Sequence, residues 1–123
     1  LSAITAVTRK FYTNWDQAQY QKYIKQFALD ERKQFKELSN GMKVKYLLAL
    51  ALSHHAELLI LDEPTSAVDV ETEQEIQVAL REISHNRTVI TIAHRRNTIA
   101  DADEIYVFEN GEIVRREVRT NGI

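Results

Sequence analysis

Residues 58–64 (Leu-Leu-Ile-Leu-Asp-Glu-Pro) join four consecutive apolar residues to two adjacent carboxylates. A short apolar run of this kind predicts a strand over residues 58–61 that is covered on both faces, as strands of parallel sheets are. Asp62 and Glu63 would then stand at the carboxyl end of that strand. Such a pair can provide a hard oxygen ligand for Mg²⁺ and a base that orients or deprotonates water.

Two further patterns place this strand in an α/β fold. Residues 88–93 (Thr-Val-Ile-Thr-Ile-Ala) form a second apolar run, which ends at His94. Residues 105–108 and 113–114 flank an Asn-Gly pair, the strongest short hairpin signal. Because helical patterns alternate with the first two runs, the sequence predicts a parallel core followed by a C-terminal hairpin.

Apolar periodicity and capping residues predict helices over residues 1–12, 15–28, 40–54, 70–84 and 97–101. The second helix would begin with a capping box formed by Asn14 and Gln17. The third would be capped by Ser39 and the fourth by Asp69. The predicted inward positions, in chain order, are Ile4, Val7 and Phe11; Tyr20, Tyr23, Ile24 and Phe27; Val44, Leu47, Leu48, Ala51 and Leu52; Ile76, Ala79, Leu80 and Ile83.

Composition excludes several classes of protein. The 123 residues carry a net charge of -2, so the chain lacks an overall basic surface for nucleic acid. The absence of cysteine excludes disulfides and thiolate metal sites. His54 and His55 are interpreted as helix-end residues rather than metal ligands, and residues 30–37 as a charged surface loop. Since the longest apolar run is far shorter than the ~20 residues that span a bilayer, any membrane role is expected to come through a partner.

The motifs occur in a characteristic order. Leu38-Ser39-x-Gly41 comes first, residues 61–69 (Leu-Asp-Glu-Pro-Thr-Ser-Ala-Val-Asp) follow, and a strand that ends in Ala-His-Arg at residues 93–95 comes last. Together they resemble the carboxyl-terminal part of an ABC-transporter ATP-binding domain. The resemblance extends over nearly the whole chain.

The resemblance implies nucleotide-contacting roles for four residues. Ser39 and Gly41 correspond to the signature motif, and Ser66 and Asp69 belong to the D-loop. The free N–H groups at the start of the signature helix favour phosphate, and a glycine at position 41 would let the backbone approach it closely. In the family, this motif closes over ATP held by a second subunit.

The resemblance also implies a catalytic side. Residues 58–62 correspond to the Walker B strand, with Asp62 as the Mg²⁺ ligand and Glu63 as the catalytic glutamate. His94 corresponds to the switch histidine, which hydrogen-bonds a γ-phosphate. The implied cofactors are ATP and Mg²⁺.

The fold implied by the resemblance is an incomplete P-loop-NTPase-like core with part of an ABC helical subdomain. Residues 1–54 would belong to the helical subdomain and residues 55–123 to the catalytic core. The implied partners are a second ATP-binding subunit and a transmembrane transporter subunit, with no nucleic acid. The implied location is cytoplasmic, peripheral to the membrane through that partner.

The phosphate cradle of such a site is missing from these residues. Gly41, Gly111 and Gly122 are the only glycines, and none is followed by lysine, so no G-x-x-x-x-G-K-S/T motif occurs. We therefore expect the 123-residue chain alone, a fragment without Walker A, to bind ATP weakly and to be inactive.

The strand that carries the cradle would lie between the strands at residues 88–93 and 105–108. Three arrangements could fill that gap: the two strands pair directly, residues 1–9 occupy it, or a partner chain supplies a strand.

Other interpretations remain open at this point. The chain could be a binding module that offers its signature motif in trans to a partner's ATP. It could also be an engineered or recombined scaffold with idle motifs, since residues 11–55 resemble stand-alone bacterial ATP-binding subunits and residues 69–111 resemble exporters with a fused membrane domain. The join between two subfamilies would then lie in the D-loop.

Overall fold

The structure, a computed structural model, describes residues 1–119. These residues form, in chain order, α1 (Ser2–Thr8), α2 (Gln17–Gln26), α3 (Asn40–Ser53), β1 (Leu58–Asp62), α4 (Val70–Ser84), β2 (Thr88–Ile92), β3 (Glu104–Glu109) and β4 (Glu112–Val118). Short 3₁₀ turns span Arg9–Phe11, Phe35–Glu37 and Arg96–Ile99. The predicted α/β class is confirmed, and the helix predicted over residues 97–101 is a 3₁₀ turn that begins one residue earlier.

The chain divides into two compact units, Leu1–Ile92 and Ala93–Ile123. In the first unit, β1 and β2 pair in parallel, and Asp62 at the end of β1 lies opposite Ile92 at the end of β2. The α4 helix makes the crossover between them, as a parallel pair requires. The two strands that carry the predicted catalytic motifs are therefore neighbours in one sheet.

The second unit contains the predicted hairpin. β3 and β4 pair antiparallel, with a register shift between Val107 and Phe108. Asn110 and Gly111 have φ values of 51° and 81°, and two positive values are what a type I′ turn requires.

The gap left for a cradle strand is not filled by the described residues. β2 pairs with β1 and β3 pairs with β4, each in a separate two-stranded sheet. Of the three predicted arrangements, direct pairing of β2 with β3 therefore does not occur, and a strand supplied by a partner chain stays a prediction. β3 instead pairs with β4, because the short loop between them closes at low entropic cost. Residues 1–9 were also wrongly predicted to be able to fill the gap, because they form α1 and the beginning of a 3₁₀ turn.

The core of the first unit lies between the helices and one face of the parallel pair. The α3 helix packs against both α2 and α4, and Lys45 on α3 forms an ion pair with Glu75 on α4. Half of the predicted inward positions belong to this core: Tyr20, Tyr23, Ile24, Phe27, Leu48, Leu52, Ala79 and Ile83. Val44, Ala51 and Leu80 are partly buried against it. Because this core joins residues on both sides of position 54, the subdomain boundary implied there by the resemblance stays a prediction.

A hydroxyl cluster fixes α1 onto this core. The Thr5 Oγ1 atom lies 2.8 Å from the hydroxyl oxygens of both Tyr20 and Tyr46. The Tyr20 hydroxyl also donates to Glu31 at 3.0 Å. Burial raises the pKa of Tyr20 above its ordinary value, as expected for a phenol removed from water.

Among the described residues, only one face of the parallel pair is covered, which corrects the prediction of strands buried on both faces. Leu59 is buried and Leu61 and Val89 pack partly against the core. On the opposite face, the side chains are about half exposed or more: Leu58 52%, Ile60 65%, Ile90 49% and Ile92 52%. The apolar sequence identified the strands correctly, but it could not show whether the chain contributes elements to both faces.

Several details of the helices also differ from the predictions. The apolar side chains of α1 and the turn after it are exposed, with Phe11 at 78%, because α1 buries Thr5 instead. The α2 helix begins after Asp16, whose carboxylate accepts from the Gln19 N–H at 2.9 Å, so Asn14 is not its cap. Leu47 faces outward from α3.

The two histidines at the end of α3 have contacts of their own. His54 is the C-cap of the helix, and its ring stacks on Tyr12 with centroids 3.8 Å apart. His55 Nε2 lies 3.7 Å from an Asp16 carboxylate oxygen. Their interpretation as helix-end residues is confirmed.

The helices of residues 1–119 include none with the length and apolar character of a membrane span.

Candidate functional site

The carboxyl end of β1 presents the two carboxylates in sequence. Asp62 ends the strand and is exposed. The Glu63 N–H donates to the Ile92 carbonyl at 2.8 Å, which extends the parallel ladder by one bond. Glu63 has a φ of 44°, a left-handed value that is costly for any residue other than glycine. Ala28 and His55 have similar φ values, so the strain does not by itself mark a functional position.

The chain after Glu63 turns tightly towards α4. The Ser66 N–H donates to the Glu63 carbonyl at 3.1 Å, Thr65 is 2% exposed, and Ser66 itself is exposed. The buried threonine anchors the turn, while the residue implied to face nucleotide is accessible to solvent.

Asp69 is the N-cap of α4, as predicted. One carboxylate oxygen accepts from the Thr72 N–H at 2.9 Å and the other from the Thr72 hydroxyl at 2.8 Å. These bonds, the one from the backbone first, hold the pKa of the Asp69 carboxyl below its ordinary value.

Ser39 is the N-cap of α3, also as predicted. Its hydroxyl oxygen accepts from the Met42 N–H at 3.2 Å, and the Lys43 N–H donates to the Ser39 carbonyl at 2.9 Å. Helix geometry leaves the N–H groups of Asn40 and Gly41 without an intrahelical acceptor. Since Ser39 and Asn40 are exposed, this turn can offer donors and a positive helix end to an anion.

Gly41 is buried, and its missing side chain has a definite neighbour. A Cβ at this position would lie 2.2 Å from Thr72 Cγ2 and 3.4 Å from Val68 Cγ1. The glycine therefore allows the start of α3 to pack against the start of α4. Its suggested closeness to phosphate stays a prediction, and the packing contact was not apparent from the sequence.

The first compact unit thus contains Ser39, Gly41, Asp62, Glu63, Ser66 and Asp69, whereas His94 belongs to the second. Sequence reasoning missed two residues that link the motifs. Asn40 Nδ2 donates to the Ala67 carbonyl at 3.4 Å, and Thr72 contacts both Asp69 and the position of Gly41. Thr72 follows Asp69 by three residues, which is the spacing of an N-cap bond. The contact between these two residues could therefore have been predicted from the sequence.

The donor set suits Mg²⁺ and not a metal that needs an all-protein cage. Within the part of the chain that the structure describes, no three His, Cys, Asp or Glu side chains are grouped to hold a metal ion. Mg²⁺ is commonly held by one or two carboxylates together with waters and phosphate oxygens. The exposed carboxylate of Asp62 can serve as such a single ligand.

β1 leads into two adjacent carboxylates, and an exposed serine-capped helix precedes it; this arrangement is compatible with a nucleotide-binding domain of the α/β class. The family described as ABC transporter matches residues 3–66, which is more than half of the chain. The chain belongs to the ABC transporter family.

Curated relatives support this assignment. An ATP-dependent lipid A-core flippase from Idiomarina loihiensis is 53% identical over 79 residues, which cover 64% of this chain and 14% of the flippase. The flippase of Vibrio cholerae is 52% identical with the same coverage. The chain therefore spans only a small part of the length of these relatives.

Solved structures show the same fold. A dimeric bacterial ABC transporter cassette superposes with a TM-score of 0.70 at 25% identity, covering 82% of this chain and 46% of the cassette. A bacterial Atm1-family ABC exporter with ATP bound gives a TM-score of 0.71 at 29% identity, covering 93% of this chain and 22% of the exporter. The resemblance to an ABC ATP-binding domain is confirmed.

Proposed function

We propose that this chain supplies the Mg²⁺-binding, water-activating and signature elements of an ATP site, and that the complete protein hydrolyses ATP to drive transport. The step from Asp62 to Glu63 carries the proposal. An exposed carboxylate ends a parallel strand, and a second one follows on a strained backbone tied to the neighbouring strand.

The residue roles follow from their chemistry. Asp62 would hold Mg²⁺, which when bound neutralises phosphate charge. Glu63 would orient or deprotonate the attacking water. His94 would hydrogen-bond the γ-phosphate and respond to its loss.

The signature elements would serve a different nucleotide. Ser39, Gly41 and the D-loop residues Ser66 and Asp69 are proposed to face ATP bound by a second subunit. The exposure of Ser39, Asn40, Ser66 and Asp69 supports contact with a partner. A dimeric bacterial ABC transporter cassette is among the solved structures with this fold, which is consistent with such pairing.

The whole protein is proposed to be a membrane transporter of the exporter type. One similar solved structure is an Atm1-family ABC exporter, and the curated relatives are ATP-dependent lipid A-core flippases. The chain would then lie on the cytoplasmic side, attached through a transmembrane subunit or domain, with its cargo set by that partner.

These 123 residues alone are proposed to bind ATP weakly. The P-loop of related sites provides several charge-assisted hydrogen bonds, each worth roughly 1.5–3 kcal/mol. The lack of three such bonds removes at least about 5 kcal/mol, or roughly a thousandfold in affinity. Titration of the 123-residue chain with Mg·ATP in a calorimeter should give no saturable heat at micromolar concentrations, and tight binding would contradict this proposal.

A second candidate function is a binding module that offers its signature turn in trans. The exposed, serine-capped start of α3 favours it, because this surface is complete without a cradle. The module should stimulate hydrolysis by a cassette that contains a P-loop, and Ser39→Arg should abolish that effect. Glu63→Gln separates the candidates: it should leave stimulation in trans intact, but it should abolish hydrolysis at the chain's own site in a completed cassette.

A further inference from the structure

The starts of α3 and α4 meet at one side chain, that of Thr72. Its Cγ2 methyl group fills the space that a Cβ on Gly41 would need, at 2.2 Å from the ideal Cβ position. Its hydroxyl donates to Asp69 Oδ2 at 2.8 Å. Thr72 therefore contacts the helix of the signature motif with its methyl group and the D-loop carboxylate with its hydroxyl.

These two contacts depend on one torsion angle. The Thr72 side chain is β-branched and stiff about χ1, and its backbone N–H also donates to Asp69, at 2.9 Å. Rotation that moved the methyl group away from Gly41 would also move the hydroxyl away from Asp69. The position of the methyl group is thus fixed jointly by the stiff χ1 torsion and by the hydrogen bond to the carboxylate.

We propose that Thr72 is a positioning residue that couples the Asp69 carboxylate to the turn at residues 39–41. When Asp69 exchanges its bond with Thr72 for another partner, one of the two restraints on the methyl group is lost and the start of α3 can shift. The hydrogen bond from Asn40 to the Ala67 carbonyl joins the same two segments and limits that shift to the turn. The consequence for ATP rests on the proposed function of this turn, whereas the coupling itself does not.

A size-compensation experiment tests the packing half of the proposal. Gly41→Ala should lower the melting temperature by about 5 °C or more, because the added methyl group overpacks the contact. Thr72→Ser removes Cγ2 and leaves 3.4 Å to the remaining neighbours, so the double variant should melt higher than Gly41→Ala alone. A double variant no more stable than Gly41→Ala would overturn the proposal.

An NMR double-mutant cycle tests the coupling half. Asp69→Asn should shift the amide resonances of Asn40 and Gly41 in the otherwise unchanged chain. In a Thr72→Val background, which keeps one methyl group and replaces the hydroxyl with a second, the same substitution should leave those amides nearly unmoved. The control is Glu71→Gln, which alters an exposed carboxylate in the same helical turn and should have little effect on them in either background. Equal shifts in both backgrounds, or none in either, would overturn the coupling.

Neither experiment requires nucleotide. If the double-mutant cycle shows the expected coupling but a completed cassette with Glu63→Gln still hydrolyses ATP, only the proposed function is contradicted. If the cycle shows no coupling but hydrolysis by the completed cassette depends on Glu63, only the role of Thr72 is contradicted.

Discussion

Asp69 illustrates what a single capping residue contributes and how that contribution depends on pH. Its folded-state pKa is lowered by hydrogen bonds from the backbone and side chain of Thr72. The unfolded chain therefore binds the proton more readily, and the free energy of unfolding rises with pH across this interval. The stabilisation is present above the ordinary aspartate pKa of about 4 and is lost as pH falls through the lowered value.

The first prediction follows from that sign. Asp69→Asn should make the loss of stability between about pH 5 and pH 3 less steep than in the unchanged chain, since the charged cap is gone. Urea unfolding at a series of pH values measures this. Identical slopes for the two proteins would show that the cap does not contribute to the acid response.

Local rules predicted single residues well where the contact is short in sequence. Ser39 and Asp69 are the caps that the sequence indicated, because an N-cap bond reaches only to the next helical turn. Asn14 failed as a cap because α2 begins after Asp16, whose carboxylate accepts from the Gln19 N–H. The contact between Gly41 and Thr72 could not be foreseen, since it depends on how α3 and α4 pack.

The β3–β4 turn allows the free-energy cost of a left-handed backbone conformation to be measured without a steric contribution. Gly111 has a φ of 81°, and an added Cβ would meet nothing within 4 Å. Gly111→Ala should therefore destabilise the hairpin by about 1 kcal/mol through strain alone. Amide exchange of the β3 and β4 residues measures this, with Asn110→Gly as the tolerated control, and unchanged protection would contradict the turn assignment.

The open face of the parallel pair gives a second prediction at this scale. Ile60 and Ile90 are 65% and 49% exposed on it, and contiguous exposed apolar surface promotes association. The double variant Ile60→Glu, Ile90→Glu should self-associate less than the unchanged 123-residue chain. It should also bind less of a dye that reports exposed apolar surface. Leu47→Glu, at a similarly exposed position on α3, should have a smaller effect, and equal effects would contradict a special role for this face.

The same face shows the limit of apolar patterns. The run at residues 58–61 correctly predicted β1, because four apolar residues beside a turn favour a parallel strand. Its pattern also predicted cover on both sides, yet apolar character does not identify the covering element. Leu58 and Ile60 remain exposed because the described residues provide a core on one side only.

For the whole molecule, the order of motifs was more informative than any one of them. The signature turn, the Asp-Glu pair and the strand before His94 together identified the ABC transporter family, which the comparison over residues 3–66 confirms. Strand pairing was less predictable: β2 and β3 are in separate sheets, although their direct pairing was one of the three arrangements predicted in the absence of a cradle strand. Pairing depends on which strands are available. The short loop between β3 and β4 closes at low entropic cost, which favours the hairpin.

The most direct test of the account is the ATPase rate of a complete cassette in which a P-loop segment precedes these residues. We predict that Glu63→Gln lowers the turnover rate by about a hundredfold or more, as loss of a general base does, while Mg·ATP binding is retained because Asp62 is unchanged. The matched control, Glu71→Gln, should keep nearly full turnover. Turnover by Glu63→Gln equal to that of the unchanged cassette would contradict the assignment of the Asp62–Glu63 pair as the catalytic end of β1.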